Sequence, residues 1–302
     1  MLEHLYFLKE YKNIKYLQTY SYKDKLLSKN LNIIWQSAGN QKQICFLTKR
    51  NFSSVGTSET ARERSFHEWL AGLIDGDGCF LISKEGYPSL EITLNLADEK
   101  PLMQIKQQFG GSVKLRSGSK SIRYRLHNKP GLVNLINSIN GEIRNTIRIT
   151  QLKNICTLLN IKYLETKPLT INNSWIMGFF DSDGCITGNL TKENPNISIN
   201  IANKYIENLD IIIPVLKGNI YFSKHGYGHY VWSIQSKQDI NNFLNYAKLN
   251  PSRTTKIKRL TMIKEFYRLR ECNANKADIS TQTYKAWLNF IKIWKDHDTV
   301  QV

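Results

Sequence analysis

The sequence predicts an α+β chain of two pseudo-symmetric units. Each unit runs helix, two strands, helix, two strands, helix, with its helices on one face of an antiparallel sheet. Three observations lead there. First, Trp69-Leu-Ala-Gly-Leu-Ile-Asp75-Gly-Asp77-Gly-Cys-Phe80 returns as Trp175-Ile-Met-Gly-Phe-Phe-Asp181-Ser-Asp183-Gly-Cys-Ile186, so one unit is duplicated. Second, Ile92, Leu94 and Leu96 alternate with Glu91, Thr93 and Asn95, and Ile197, Ile199 and Ile201 alternate with Ser198 and Asn200, the period of strands with one buried face. Third, Leu132 to Ile139 and Ile240 to Leu249 are apolar segments of helical spacing, suited to cover those faces.

Each element follows in order. Residues 1–65 lack sustained periodicity and end in the polar stretch Asn51 to Ser65, which reads as a linker. Lys49-Arg50-Asn51-Phe52-Ser53-Ser54 is compatible with an import leader, while Glu3, Glu10 and many tyrosines fit an exon-derived or accessory extension equally. The first unit is assigned to residues 66–168 and the second to 169–302. In each, the Trp-rich apolar segment ends at Asp-x-Asp-Gly, where the glycine is expected to close a helix. After the motif, Ile92 to Asp98 matches Ile197 to Asn203 at an offset of 105. Gly111-Ser-Val-Lys matches Gly218-Asn-Ile-Tyr, and second hairpins are placed at Ser117 to Lys120 and at Lys224 to Gly228.

Composition narrows the function. The 302-residue chain carries 42 Lys and Arg against 25 acids, a net charge of +17, the footprint of a phosphate-binding surface. Most of this excess, +11, lies on residues 66–302, so it is not a basic tail alone. Five cysteines without a Cys-x-x-Cys pair argue against a disulfide framework and for a reducing matrix. The longest apolar run, Ile211 to Leu216, is interrupted by Pro214 and is too short to span a bilayer, so no membrane partner is expected. Recurrent Asn, Ile, Lys and Tyr hint at an AT-rich organellar gene.

The repeated motif also carries the chemistry. Ala71, Gly72 and Gly178 are small enough to let two helix backbones approach closely, which would bring both helix C-termini together. Asp77 and Asp183 would then face each other and the negative ends of two helix dipoles, a costly arrangement unless a cation binds. A hard divalent ion such as Mg2+ suits that oxygen pair. Asp75 and Asp181 read as capping or interface hydrogen-bonding groups. A calcium EF-hand is excluded, because its glycine and terminal glutamate positions hold Phe80 and Gly86 in one copy and Ile186 and Lys192 in the other. His225 and His229 sit among glycines in a hairpin with no third ligand, so zinc is not expected.

Leu70-Ala-Gly-Leu-Ile-Asp-Gly-Asp-Gly78 differs from a nine-letter family signature only at Gly76, and Ile176-Met-Gly-Phe-Phe-Asp-Ser-Asp-Gly184 keeps Gly178, both acids and Gly184. With the matching strands, the chain from about residue 66 onward resembles the single-chain LAGLIDADG homing endonucleases. The resemblance implies saddle-like sheets and a monomer that cuts both strands of a long, asymmetric or pseudo-palindromic DNA site. It implies Mg2+ or Mn2+ held by Asp77 and Asp183 with the carbonyls of Gly76 and Ser182. It also implies water-ordering roles for the polar residues Asp98 and Asn203 and for a lysine in each half. Lys256 is the second-half candidate; for the first half Arg144 and Lys153 remain open. Family members encoded in mitochondrial introns can act instead, or in addition, as maturases on group I intron RNA, and a non-cleaving DNA-binding regulator is a third reading. DNA would lie on the open sheet faces. Lys114, Arg116, Arg123, Arg125 and His127 recur with period two in the first half, and Asn189, Asn200, Tyr221, Ser223, Ser233 and Gln235 supply neutral groups in the second.

Overall fold

The computed structural model describes residues 60–191 and 193–296, together with the backbone of two strands nearer the N-terminus. Those strands, β1 (Ile34–Ala38) and β2 (Gln41–Cys45), pair as an antiparallel hairpin and belong to a separate unit that ends at Ser58. The rest of the proposed extension up to residue 59 lies outside the described residues.

The larger unit opens with α1 (Ala61–Asp77). Thr60 and Glu63 form a reciprocal capping box, so Ala61 to Ser65, read from sequence as linker, are the first turns of this helix. There follow β3 (Gly78–Ile82), β4 (Pro88–Asn95), α2 (Glu99–Phe109), β5 (Ser112–Leu115), β6 (Ser121–Leu126), α3 (Lys129–Ile139) and α4 (Thr146–Leu159). The second half repeats this as α5 (Trp175–Asp183), β7 (Gly184–Asn189), β8 (Asn196–Asn203), the short helical turns α6 (Glu207–Asp210) and α7 (Ile213–Leu216), β9 (Asn219–Ser223), β10 (His229–Ile234), α8 (Lys237–Leu249) and α9 (Lys256–Glu271). A last helix, α10 (Gln282–Asp296), has no first-half counterpart. The predicted seven-element pattern, with three helices per half, is therefore extended by one helix per half, α4 and α9, and by α10.

Each half holds a four-stranded antiparallel sheet, ordered β3-β4-β6-β5 and β7-β8-β10-β9. Leu90, Ile92, Ile122, Tyr124 and Leu126 are buried on one face of the first, and Ile197, Ile199, Ile201, Trp232 and Ile234 on one face of the second. The intervening residues form the other face. Pairing corrects the alignment of the repeats. Gly78 lies opposite Ile92 and Gly184 opposite Ile201, so Ile92 matches Ile201, and Asn203 matches Leu94 rather than Asp98.

The helices α1 and α5 cross at their glycines. A Cβ on Gly72 would lie 2.1 Å from the Trp175 carbonyl oxygen, and one on Gly178 would lie 1.9 Å from that of Trp69. The contact is reciprocal and admits no side chain at either position. The glycines that end the two helices serve space as well, not handedness. Gly78 and Gly184 have φ of −88° and −84°, which any residue adopts, but a Cβ on Gly78 would sit 2.7 Å from Ile74 Cα. In the C-terminal part, Trp287, Phe290 and Trp294 of α10 are buried. Buried Arg259 ties this helix down by donating to the carbonyls of Ile186 and Trp294.

Candidate active site

The crossing of α1 and α5 is locked by a pair of exchanged hydrogen bonds. Trp69 Nε1 donates to Asp181 Oδ2 at 2.9 Å and Trp175 Nε1 donates to Asp75 Oδ2 at 2.7 Å. The first acid of each motif is thus buried and fixed across the interface, as its expected interface role requires. Each also receives the chain that leads into a helix of its own half, α4 or α9. Arg144 N donates to Asp75 Oδ2, and Arg253 N, Ser252 Oγ and Thr254 Oγ1 donate to Asp181. Burial raises both carboxyls, Asp75 to about 7.

This frame sets the two second acids side by side. A Cβ on Gly76 would lie 2.0 Å from Ser182 Oγ and 3.3 Å from Asp183 Cγ, so the end of α1 abuts the end of α5. Asp77 is raised to about 7, first by desolvation and then by the charge of Asp183, against the opposing influence of Lys256 and Arg148. Asp183 is raised to about 6 by desolvation, against hydrogen bonding from Asn203 and the same two cations. Two repelling carboxylates at the negative ends of two helices form an anionic site without enough counter-charge of its own.

The donor set fits a hard divalent ion. Two carboxylates with no thiolate or imidazole between them match the way Mg2+ is held, by one or two acids with the remaining positions left to phosphate and water. Among the described residues no group of three or more His, Cys, Asp or Glu is placed to hold a metal ion.

The other expected site residues fall into distinct roles. Asn203, at the end of β8, donates to Asp183 Oδ2 at 3.3 Å and is held by Asn208. Asp98, in the turn after β4, accepts from Thr255 N at 2.6 Å and so caps the start of α9 across the half-domain boundary. Lys256 Nζ donates to three carbonyls, those of Phe180, Asp181 and Ser182, at 2.8–2.9 Å. It caps α5 with a full positive charge beside Asp183, and it engages the Ser182 carbonyl expected as a metal ligand. The Gly76 peptide packs against the Ser182 side chain. Burial lowers the Lys256 ammonium, opposed by the field of four surrounding aspartates.

Neither open candidate for the first-half lysine reaches the acids. Arg144 turns inward to Glu142, the Lys167 carbonyl and the face of Trp175, and Lys153 pairs with Glu165 and Tyr163. The first-half cation that acts on Asp77 and Asp183, alongside Lys256 of the second half, is Arg148, which sequence reasoning alone does not single out. Its signal lies in Arg144-Asn-Thr-Ile-Arg148 beside Arg253-Thr-Thr-Lys256. The arginines that fix Asp75 and Asp181 are equivalent, so Lys256 aligns with Ile147, one residue before Arg148.

The predicted nucleic-acid residues divide between the sheet faces. In the first half, Arg123 and Arg125 lie opposite Thr93 and Glu91, and Lys114 and Ser112 complete the row. Lys114, Arg116, Arg123, Arg125 and His127 line one concavity of about 370 Å3, and Glu91 bridges Arg123 and Arg125 at 3.2 and 2.6 Å. In the second half, Asn200 accepts from Ser233 and donates to Thr187 and Ser198. Asn189 borders a separate hollow of about 610 Å3 with Thr187, Ser198 and Trp294. Tyr221 is exposed, Ser223 half-buried, and Gln235 exposed just beyond β10.

A four-stranded sheet in each half, two crossed motif helices and one acid from each helix at a shared centre define a duplicated scaffold with a paired-acid centre. The chain belongs to the LAGLIDADG endonuclease family, whose profile matches residues 70–169 and 176–267. It is 47% identical over 271 residues to the intron-encoded RNA maturase bI4 of Saccharomyces cerevisiae and 42% identical over 282 residues to the probable intron-encoded endonuclease aI2 of Debaryomyces hansenii. These alignments cover 88% of this chain but 41% and 42% of those longer proteins. The intron-encoded DNA endonuclease ai2a of Dictyostelium discoideum is 32% identical, covering 76% of this chain and 75% of that one. Among solved structures, the homing endonuclease I-LtrWI bound to target DNA superposes with a TM-score of 0.56 at 14% identity, covering 76% of this chain and 97% of that one. The meganuclease I-AabMI bound to uncleaved DNA gives 0.54 at 16%, covering 74% and 97%. Likenesses at that identity show the shared fold.

Proposed function

We propose that the chain is a monomeric, site-specific DNA endonuclease that hydrolyses one phosphodiester in each strand of a long, asymmetric or pseudo-palindromic duplex. The observation that carries this reading is the adjacency of Asp77 and Asp183, each raised by burial and each immediately preceding the first strand of its own sheet. Mg2+ or Mn2+ held by the two acids would supply Lewis acidity at the phosphate. Asn203 orients Asp183. Lys256 neutralises the end of α5, and the basic first-half face provides phosphate contacts that set the register on the duplex. Relatives named as intron-encoded endonucleases support the activity and a mitochondrial or other organellar matrix.

Asp77→Asn and Asp183→Asn are expected to slow cleavage by at least ~100-fold, with affinity for the duplex retained or increased because a negative charge facing phosphate is gone. The duplex is one selected by the doubly substituted protein from a random library, labelled on both strands. Full-rate cutting of both strands by either variant would sink the mechanism.

A second reading is favoured by one specific observation, the 47% identity to a protein named as an RNA maturase. It makes the chain a splicing cofactor for a group I intron, alone or in addition. Splicing assays separate the two: acid variants that restore splicing while the unsubstituted protein never cuts DNA would assign the function to RNA.

A further inference from the structure

A chain of amide contacts runs from the first half to an acid of the second. Thr146, the first residue of α4, donates its backbone N–H to Asn208 Oδ1 at 3.3 Å. Asn208 Nδ2 donates to Asn203 Oδ1 at 2.8 Å, and Asn203 Nδ2 donates to Asp183 Oδ2 at 3.3 Å. Asn208 stands in the turn α6 and is only 1% exposed, so both ends of its amide depend on these partners.

Direction matters in such a chain, because an asparagine amide can be turned end for end with almost no change of shape. A backbone N–H can only donate, so Asn208 turns its oxygen to Thr146 and its NH2 to Asn203. Asn203 meets that NH2 with its own oxygen, which also accepts from Tyr205 N at 3.1 Å. The NH2 of Asn203 is thereby left facing Asp183. The opposite orientation would set an amide oxygen against a carboxylate. A donated N–H favours the ionised carboxylate, the form that a divalent ion takes up.

The first half has no such chain. Leu94 holds the strand position of Asn203 and offers no amide there. The corresponding tie between halves is made by Asp98, which accepts from Thr255 N beside the start of α9. An ionised carboxylate only accepts and cannot pass a donor onward. Each half thus fastens the start of a helix of the other, but only one fastening continues to an acid.

We propose that Asn208 is a positioning residue: held by Thr146 of the first half, it fixes which end of the Asn203 amide faces Asp183, and so readies the second-half acid for its cation and for one strand of the duplex. The effect on cutting rests on the nuclease reading above; the orientation of the amide does not.

Two substitutions in the full chain test it. Asn208→Asp keeps the shape and still accepts from Thr146 N but can no longer donate, so the Asn203 amide is expected to turn. Thr146→Pro deletes only the N–H at the head of the chain, at a first helical position that suits proline, and Asn145 before it has the extended ψ of 126° that a following proline requires. In the metal-free protein the Asn203 NH2 resonances, assigned by their loss in Asn203→Asp, are expected to shift on Asp183→Asn. In the Asn208→Asp background that response should vanish. On the library-selected duplex in Mg2+, with protein in excess and each strand followed separately, Asn208→Asp is expected to slow one strand about tenfold and to leave the duplex Kd unchanged. Thr146→Pro should act on the same strand, less strongly. An Asn203 response that persists in Asn208→Asp, equal slowing of both strands, or weaker duplex binding at an unchanged rate overturns the inference. If Asn208→Asp does not fold, unaltered rates and resonances in Thr146→Pro overturn it instead. If the unsubstituted protein binds but never cuts while the Asn203 response depends on Asn208, the nuclease reading fails and the positioning role stands.

Discussion

The two halves share a fold and differ in how they manage charge. On the first-half sheet, Lys114, Arg123 and Arg125 form a cationic row tempered by Glu91 alone, whereas the second-half row is Thr187, Ser198, Asn200 and Ser233, hydrogen-bonded to one another. At the centre the pattern differs again: Asp181 is satisfied by four donors, while Asp75 Oδ1 is buried without a partner. The end of α5 is capped by an ammonium, the end of α1 by the neutral amide of Asn145. A duplicated scaffold thus keeps its backbone contacts symmetric, because the crossing admits one geometry, and lets the side chains around them diverge.

The symmetric part is the most sensitive to change. Gly72→Ala and Gly178→Ala each drive a Cβ into a backbone carbonyl of the opposite helix, which cannot move aside as a side chain can. Each is expected to cost about 3 kcal/mol, the upper end of overpacking effects, measured by urea denaturation. Because the contacts are reciprocal, the two losses should agree; a large loss at one glycine and none at the other would break the symmetric reading of the crossing.

The sheet faces should separate under salt. Neutralising Lys114, Arg123 and Arg125 to Gln is expected to weaken duplex binding by tenfold or more and to flatten the dependence of log Kd on log salt by about 0.9 for each phosphate no longer neutralised. Replacing Asn200 and Ser233 by Ala should leave that slope unchanged and alter discrimination among target sequences instead. Equal slopes for both sets of variants would show that charge is not what distinguishes the faces.

Much of this organisation is legible in the sequence, and what is not has physical causes. The duplicated Trp-to-Gly string discloses the paired helices, the small residues at their crossing and the adjacent acids, since close helix contact and paired carboxylates each demand particular residue types. The strand register is not legible. Ile197-Ser-Ile-Asn-Ile alternates so regularly that a slip by two or four residues preserves every inward side chain, and only the pairing of Gly184 with Ile201 fixes it. That slip makes Asp98 and Asn203 look equivalent, although one caps α9 and the other touches Asp183. Lys256 is legible as a basic residue near the site but not as a helix cap, because its partners are carbonyls 74–76 residues away. Arg148 is hidden by a one-residue offset from the position where the second half places its lysine.

The acids of the two halves should also be separable by pH. Asp77 is raised to about 7 and Asp183 to about 6 from an ordinary value of 3.8, so between pH 4 and 7 the metal-free folded state holds more protons than the unfolded chain. Stability contributed by these groups is present in full below pH 4 and is lost as pH rises through that window. Asp183→Asn is expected to flatten the decline between about pH 4 and 6 and Asp77→Asn the whole of it up to about pH 7, read from melting temperatures at fixed ionic strength. Stabilisation by added Mg2+ should be larger at pH 8 than at pH 5.5, where protons compete for the same oxygens. A melting temperature that climbs between pH 4 and 7 would contradict the assignment.

The smallest expected effect isolates the exchanged tryptophan bonds. Trp69→Phe removes one of four donors from Asp181, and Ser252, Thr254 and Arg253 N continue to hold it. Trp175→Phe removes one of the two groups on Asp75 Oδ2, leaving Arg144 N alone beside an oxygen that already lacks a partner. Both rings keep most of their packing as Phe, so the difference between the variants reports the hydrogen bonds. Trp175→Phe is expected to be more destabilising by about 1 kcal/mol, because a deeply buried carboxyl loses a larger share of its stabilisation. The same comparison repeated at pH 5 should narrow, since protonated Asp75 depends less on donated hydrogen bonds than the ionised form does. Equal costs at both pH values would mean that Asp75 finds in solution the partners that Asp181 has in the fold, and the asymmetry would then be confined to the cations and the sheet faces.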